Sequence, residues 1–325
     1  MDNHDLDQAI RANHEIDQAA AVLRRGGLVA FPTETVYGLG ADARNAEALN
    51  KIFTAKGRPA DHPLIVHVSD LAQARAWVAE MPDMALELAA QFWPGPLTLI
   101  LQKAPHVSPL ITGNQATIAI RMPSHPRAQA LLRAFGGALA APSANRFGRI
   151  SPTTADAVRE ELGNAVDMVL DGGQCDVGLE STIVDARGEH PLILRPGHIG
   201  AQQIENVLGL TTKCPPEKIV PRVSGAMESH YAPETPLVLV AGEDALTTMS
   251  NESIVFLSHE KFSRSDTTIE FISMPANPQD YAHELYATLR LLDKKHFQCI
   301  VIQTVPEGDA WDAIRDRLQR ASSKK

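Results

Sequence analysis

Short apolar runs alternate with helical spacings along most of the chain. Ile16, Ala19, Ala20 and Leu23 recur at helical intervals and stop at Gly26-Gly27; Leu28-Val29-Ala30-Phe31 then reads as a buried strand ended by Pro32. Leu49, Ile52 and Phe53 place a helix over 45–55, and the run 64–68 is a second buried strand that His67 interrupts. Helices are expected over 72–80 and 84–92, then a stiff structural corner at Trp93-Pro94-Gly95-Pro96 and a strand over 97–101. Alternation from Thr117 to Arg121 predicts a strand with Thr117, Ala119 and Arg121 on one face, closed by Pro123. A helix over 125–135 leads into the small-residue strand Ala138 to Ala141 and the polar turn Pro142-Ser143-Ala144-Asn145, and Ser151-Pro152-Thr153 opens another helix. Further strands are expected over 167–170, 180–185 and 192–195. Several of these strands finish in Thr, Ser or Arg, so the sheet has one working rim.

From 210 to 236 the periodicity is lost, with Pro215, Pro216, Pro221, Pro233 and Pro236 in the stretch. A segment this long without an element of its own reads as a functional lid or linker, and it carries Ser229-His230-Tyr231-Ala232-Pro233. Strands over 237–240, 254–257, 269–273 and 299–303 and helices over 281–292 and 311–318 follow, the pattern of a small doubly wound α/β unit. It contains no G-x-G-x-x-G, so a nucleotide site there has only fold analogy behind it. The expected organisation is a domain over 1–210, a linker over 211–236 and a smaller domain over 237–325.

A chain of 325 residues with 44% hydrophobic and 21% charged residues has the make-up of a soluble globular protein of more than one domain. A net charge of −9 argues against a broad basic footprint for nucleic acid, although it leaves a local cationic pocket open. The first eleven residues are acidic and lack the apolar core of a secretory signal, and no apolar run reaches the ~20 residues of a membrane helix. Cys175, Cys214 and Cys299 are odd in number and form no C-x-x-C, which favours a reducing, cytoplasmic compartment without a disulfide framework or a metal site.

Candidate chemistry concentrates between Phe31 and His67. Thr33, Glu34, Thr35 and Tyr37 stand just past a strand end, where α/β folds place ligand groups. Gly38 and Gly40 admit close backbone approach. Pro59 biases Arg58 towards extended geometry, so Lys56 and Arg58 project to one side of a loop. They read either as an anion site or as a solvated helix C-terminus facing its dipole. His67 is a core histidine or a ligand contact, Arg121 a surface residue or a group aimed into the site. Ser143, Asn145 and Ser151 are caps or contacts to something bulky against the small strand.

Taken together, Pro32-Thr33-Glu34-Thr35-Val36-Tyr37-Gly38-Leu39, Lys56-x-Arg58, Ser143-x-Asn145 and His230-Tyr231-Ala232-Pro233 resemble the threonylcarbamoyl-AMP synthase family in its long form. The likeness spans the chain in order and layout. It implies a YrdC-like α/β domain, with a twisted mixed open sheet and helices, followed by a smaller Rossmann-like α/β C-terminal domain. The activity it implies is condensation of L-threonine, bicarbonate or CO2, and ATP into threonylcarbamoyl-adenylate and pyrophosphate. Mg²⁺ would accompany the ATP, and a tRNA threonylcarbamoyl-transferase complex would take the product to the adenosine beside the anticodon. By position, Thr35, His67, Arg121, Ala141 and Ser181 would hold threonine. Lys56, Arg58, His62, Thr117, Ser143, Asn145, Ser151, Arg195 and Tyr231 would line the nucleotide site, with Lys56, Arg58, Ser143 and Asn145 as the catalytic set. The sequence departs from the family pattern at His62, often asparagine, and at Ser224-Gly225, usually Pro-Gly. The competing readings are a tRNA or double-stranded RNA binding module without catalysis, and a related domain that uses carbamoyl phosphate. The acidic balance implies weak or no direct tRNA binding.

Overall fold

The computed structural model describes residues 3–213, 221–225, 230–248, 253–262 and 269–322. Ser229, Cys214, Pro215 and Pro216 of the expected linker lie outside those residues. The first large sheet is built from β1 (Val29–Phe31), β2 (Gly38–Asp42), β3 (Ile65–His67), β4 (Leu97–Gln102), β5 (Thr117–Arg121), β6 (Leu139–Ala140), β7 (Met168–Val169), β8 (Thr182–Asp185) and β9 (Leu192–Arg195). Their order is β7-β1-β2-β6-β3-β5-β4-β8-β9, and the pairing is mixed: β3 and β5 run parallel, β4 and β5 antiparallel, β4 and β8 parallel. Parallel register sets His67 opposite Arg121, which brings two groups distant in sequence to the same rim.

The helices form where the apolar spacing placed them, with instructive differences at their ends. Asn45 caps Ala46–Lys56 through its side chain, and Gly57 closes it in the left-handed region at φ 61°. That sharp stop leaves Lys56 as the last helical residue and releases Arg58 into the loop. The helix expected over 72–80 is only Leu71–Arg75, because after Ala76 the chain bridges Val78 to Lys103 on the edge of the sheet. Ser151 does not open a helix: the cap is Thr154, which accepts from Ala157 N, and the helix is Ala155–Leu162. A helix at Ala201–Leu208 went unpredicted.

The second sheet is parallel throughout, in the order β10-β13-β11-β12, from β10 (Leu237–Val240), β11 (Ile254–Ser258), β12 (Ile269–Ser273) and β13 (Cys299–Gln303). Helices Pro278–Asp293 and Asp312–Ser322 pack against it. Its core also takes in Val36, Ile150, Leu179 and Tyr231, so the two sheets share one apolar seam. Asp309 strengthens the seam by accepting from the backbone N–H groups of Ala201 (2.8 Å) and Gln202 (3.2 Å), which caps a helix that follows the first sheet. Among the described residues no helix is long and apolar enough to cross a membrane.

Candidate active site

Beyond β1 the chain turns at Pro32, and Thr33 locks the turn. Its hydroxyl donates to Val36 O (2.7 Å) and shares a hydrogen bond with the Thr35 hydroxyl (2.8 Å). Glu34 then reaches the end of β5, where it accepts from Arg121 Nη2 (2.7 Å) and from Ser124 N (3.0 Å). Burial acts to raise the Glu34 carboxyl, yet the charge and hydrogen bond of Arg121 hold it below the usual range. Arg121 Nε donates to Gly95 O (3.4 Å), so the corner at Trp93-Pro94-Gly95-Pro96 orients a site residue as well as turning the chain. Beside it, buried His67 is pushed down to about 3, first by burial and then by the Arg121 charge, and is neutral at physiological pH.

The other wall comes from β8 and β9. Arg195 forks around Ser181, donating from Nε (3.1 Å) and Nη2 (2.8 Å) to its carbonyl oxygen and from Nη2 to its hydroxyl (3.1 Å). Ser181 Oγ is also 2.8 Å from Thr98 Oγ1. Arg195 Nη1 donates to Ser224 O (2.8 Å), and Arg58 Nη2 lies 3.4 Å from Ser224 Oγ, so one residue spans two guanidinium groups. Lys56 Nζ donates to the carbonyl oxygens of Ser143 and Asn145 and is itself buried. Its ammonium and the Arg58 guanidinium act on each other electrostatically.

These side chains surround a cavity of about 30 Å³. Of the groups expected around threonine, Thr35, His67, Arg121, Ala141 and Ser181 line it; of those expected around the nucleotide, Ser143, Arg195 and Tyr231 do. Lys56, Arg58 and Asn145 form the layer behind. His62 stands further out, its ring edge-on to Phe147 at 5.2 Å, and Thr117 begins β5 at the end away from Arg121. Ser151 is turned inward, donating its hydroxyl to Glu180, a wall residue to which the sequence alone assigns no role. The space holds about one water molecule. Tyr231 and His230 help to fill it, and Tyr231 sits at φ 61°, a conformation unusual for a bulky residue.

Two family models divide the chain: one described as "Telomere recombination" (Sua5_yciO_yrdC) matches residues 21–197, and one described as "Threonylcarbamoyl-AMP synthase, C-terminal domain" matches residues 199–323. The chain belongs to the threonylcarbamoyl-AMP synthase family. It is 39% identical to the Bacillus subtilis threonylcarbamoyl-AMP synthase, with 95% of this chain and 93% of that one covered. The solved structure of Pyrococcus abyssi Sua5 complexed with L-threonine is similar at a TM-score of 0.87, with 35% identity over 95% of this chain and 94% of that one. A putative threonylcarbamoyl-AMP synthase of Mycobacterium tuberculosis is 40% identical, but it matches only 60% of this chain while 89% of its own length is covered.

In this family member the charges are unevenly settled. Among the described residues no carboxylate lies within ion-pair distance of Lys56, Arg58 or Arg195, while Glu34 is taken by Arg121 and Glu180 by Arg317. Burial, then the neighbouring Arg58, pushes Lys56 well below its ordinary value; burial also brings Arg58 down to about 10, with Arg195 adding to the effect, and lowers Arg195. Arg58 Nε, Asn145 Oδ1 and His230 Nδ1 are buried without a hydrogen-bond partner among the described residues. Buried cations and polar atoms left open in this way are costly unless a ligand completes them.

Proposed function

We propose that this chain is an L-threonylcarbamoyladenylate synthase, a nucleotidyltransferase that makes threonylcarbamoyl-AMP and pyrophosphate from L-threonine, bicarbonate or CO2, and ATP. The observation that carries the reading is the meeting of three buried cations without carboxylate partners, Lys56, Arg58 and Arg195, beside the Arg121–His67 wall. A triphosphate is the anion such a cluster suits. Arg121, held from one side by Glu34 and Gly95, offers its guanidinium to the threonine carboxylate. Neutral His67 and the Thr35 hydroxyl face the same space and suit the amine and the threonine hydroxyl.

The threonine nitrogen bonds to the carbon of CO2 and loses a proton, giving a carbamate. A carbamate oxygen then attacks the α-phosphorus as the bond to pyrophosphate breaks. No covalent enzyme intermediate is needed, and the protein's part is positioning and stabilisation of charge on the phosphates. Mg²⁺ would enter with the nucleotide. It would share the neutralisation of the phosphates. The product passes to a tRNA threonylcarbamoyl-transferase complex, and with a net charge of −9 the chain itself holds tRNA weakly or not at all.

The test is pyrophosphate release by the purified full chain. Release that requires ATP, L-threonine and bicarbonate together supports the reading. Release that requires carbamoyl phosphate instead, or RNA binding without turnover, contradicts it.

A further inference from the structure

Arg317 is the one arginine of helix Asp312–Ser322 that lies in its buried stripe, with Ala313, Ile314, Leu318 and Ala321. It is 1% exposed, and it crosses from the second domain into the first. Its Nε donates to Glu180 (2.8 Å) and its Nη2 to the carbonyl oxygen of Pro196 (3.0 Å), the residue after Arg195. Tyr286, also from the second domain, donates to the same carboxylate (3.1 Å). Glu180 lines the cavity and is buried among these groups and Ser151. Burial works to raise its carboxyl, but Arg317, and after it Arg195, outweigh burial and keep it ionised.

Two buried arginines therefore flank one carboxylate that faces the place where phosphates are expected: Arg317 is bonded to it, and Arg195 lines the same cavity, bonded instead to Ser181 and Ser224. We propose, resting on the synthase reading above, that Arg317 is a positioning residue: by occupying Glu180 it keeps Arg195 on Ser181 and Ser224, without a carboxylate partner, so that its charge serves the nucleotide. Without Arg317, Glu180 keeps its hydrogen bonds from Ser151 and Tyr286 but loses its ion-pair partner, and Arg195, which lines the same cavity and already acts on it electrostatically, is drawn towards it; an Arg195–Glu180 pair both removes a cation from the phosphates and presents a half-satisfied anion to them. The second domain would thus act on ATP use through charge, without touching ATP. Arg317 also lies 5.0 Å from the Tyr231 ring centre, and the Tyr286 ring stacks with Tyr231 at 6.1 Å, so the same two residues contact the lid tyrosine.

The experiment compares wild type, Arg317→Met, and Arg317→Met combined with Glu180→Gln, as full-length chains, by threonine- and bicarbonate-dependent pyrophosphate release with ATP and threonine varied separately. Arg317→Met is expected to raise the KM for ATP about tenfold, as loss of a partly buried charge contact does, with the KM for threonine changed less than about twofold. Adding Glu180→Gln, which removes the carboxylate released by the first change, is expected to recover most of the ATP term; Asp316, the other carboxylate on Arg317 (2.6 Å), keeps Arg320 as a partner. A double variant no better than Arg317→Met, or equal rises in both KM values, overturns the proposal. If Arg317→Met does not accumulate as folded protein, Arg317→Lys takes its place; it keeps the charge, so an ATP KM within about threefold of wild type is expected and a rise as large as tenfold overturns the proposal. A wild-type chain inactive with all three substrates would instead overturn the synthase reading.

Discussion

Arg121 and Glu34 show how a single residue can be fixed by the protein and still face a ligand. One edge of the guanidinium is bound by Glu34 and Gly95, and its cavity face is left for a carboxylate. Arg121→Lys keeps the charge but loses the fork, so the KM for threonine should rise about tenfold with a much smaller change for ATP; equal effects on both substrates would contradict this division. Lys56→Ala and Arg58→Ala should each lower pyrophosphate release on the order of 100-fold, about 3 kcal/mol of transition-state stabilisation, while circular dichroism shows the fold intact. Near-normal release from both would remove these residues from the chemistry. The types and spacing of these groups were legible in the sequence because turns and strand ends announce them. The pairings were not, since Glu34–Arg121 and Glu180–Arg317 join positions far apart in the chain. One sign was available: Arg317 interrupts the apolar stripe of its helix, where a charged residue needs a buried partner.

Among the elements, the short strands and most helices formed where periodicity placed them, because each buries one face. The misplaced ends have local causes: Ala76 to Val78 joins the sheet edge, and Thr154 supplies a better cap than Ser151. Residues 230–232 of the lid segment are more tightly held than a free linker. Arg149 bridges to Ala232 through the backbone, His230 N donates to Arg320 O (3.4 Å), and Tyr231 packs against Arg317 and Tyr286. Deleting 212–325 would expose Val36, Ile150 and Leu179 of the shared seam and leave Glu180 without Arg317. From the sequence the truncated domain is expected to fold yet lose activity; the seam adds a cost on the order of 5 kcal/mol for three apolar side chains. Calorimetry should show a clear fall in Tm, with little pyrophosphate release. Full activity at an unchanged Tm would contradict both the gripping of the lid and the role of the seam.

Across the chain, buried titratable groups set a direction for pH dependence. His67 and His230 are both pushed down to about 3, chiefly by burial, from an ordinary value near 6.5. Between those values the unfolded chain binds protons that the folded chain refuses, so stability is present above about 6.5 and declines as pH falls towards 3. Glu34 and Glu180, held low, push the same way below the usual carboxylate range. Tm should therefore drop from pH 7 to pH 5, and a constant or rising Tm would show that these histidines are not enclosed as described. The division of work is consistent: the first sheet gathers cations to one rim, and the second domain holds the lid and settles the stray carboxylate. The decisive measurement is a crystal structure with a non-hydrolysable ATP analogue and L-threonine. The triphosphate is expected against Lys56, Arg58 and Arg195, with the threonine carboxylate on Arg121 and Tyr231 moved from its present place to admit the nucleotide. Phosphates bound elsewhere, with those three cations left as they stand, would contradict it.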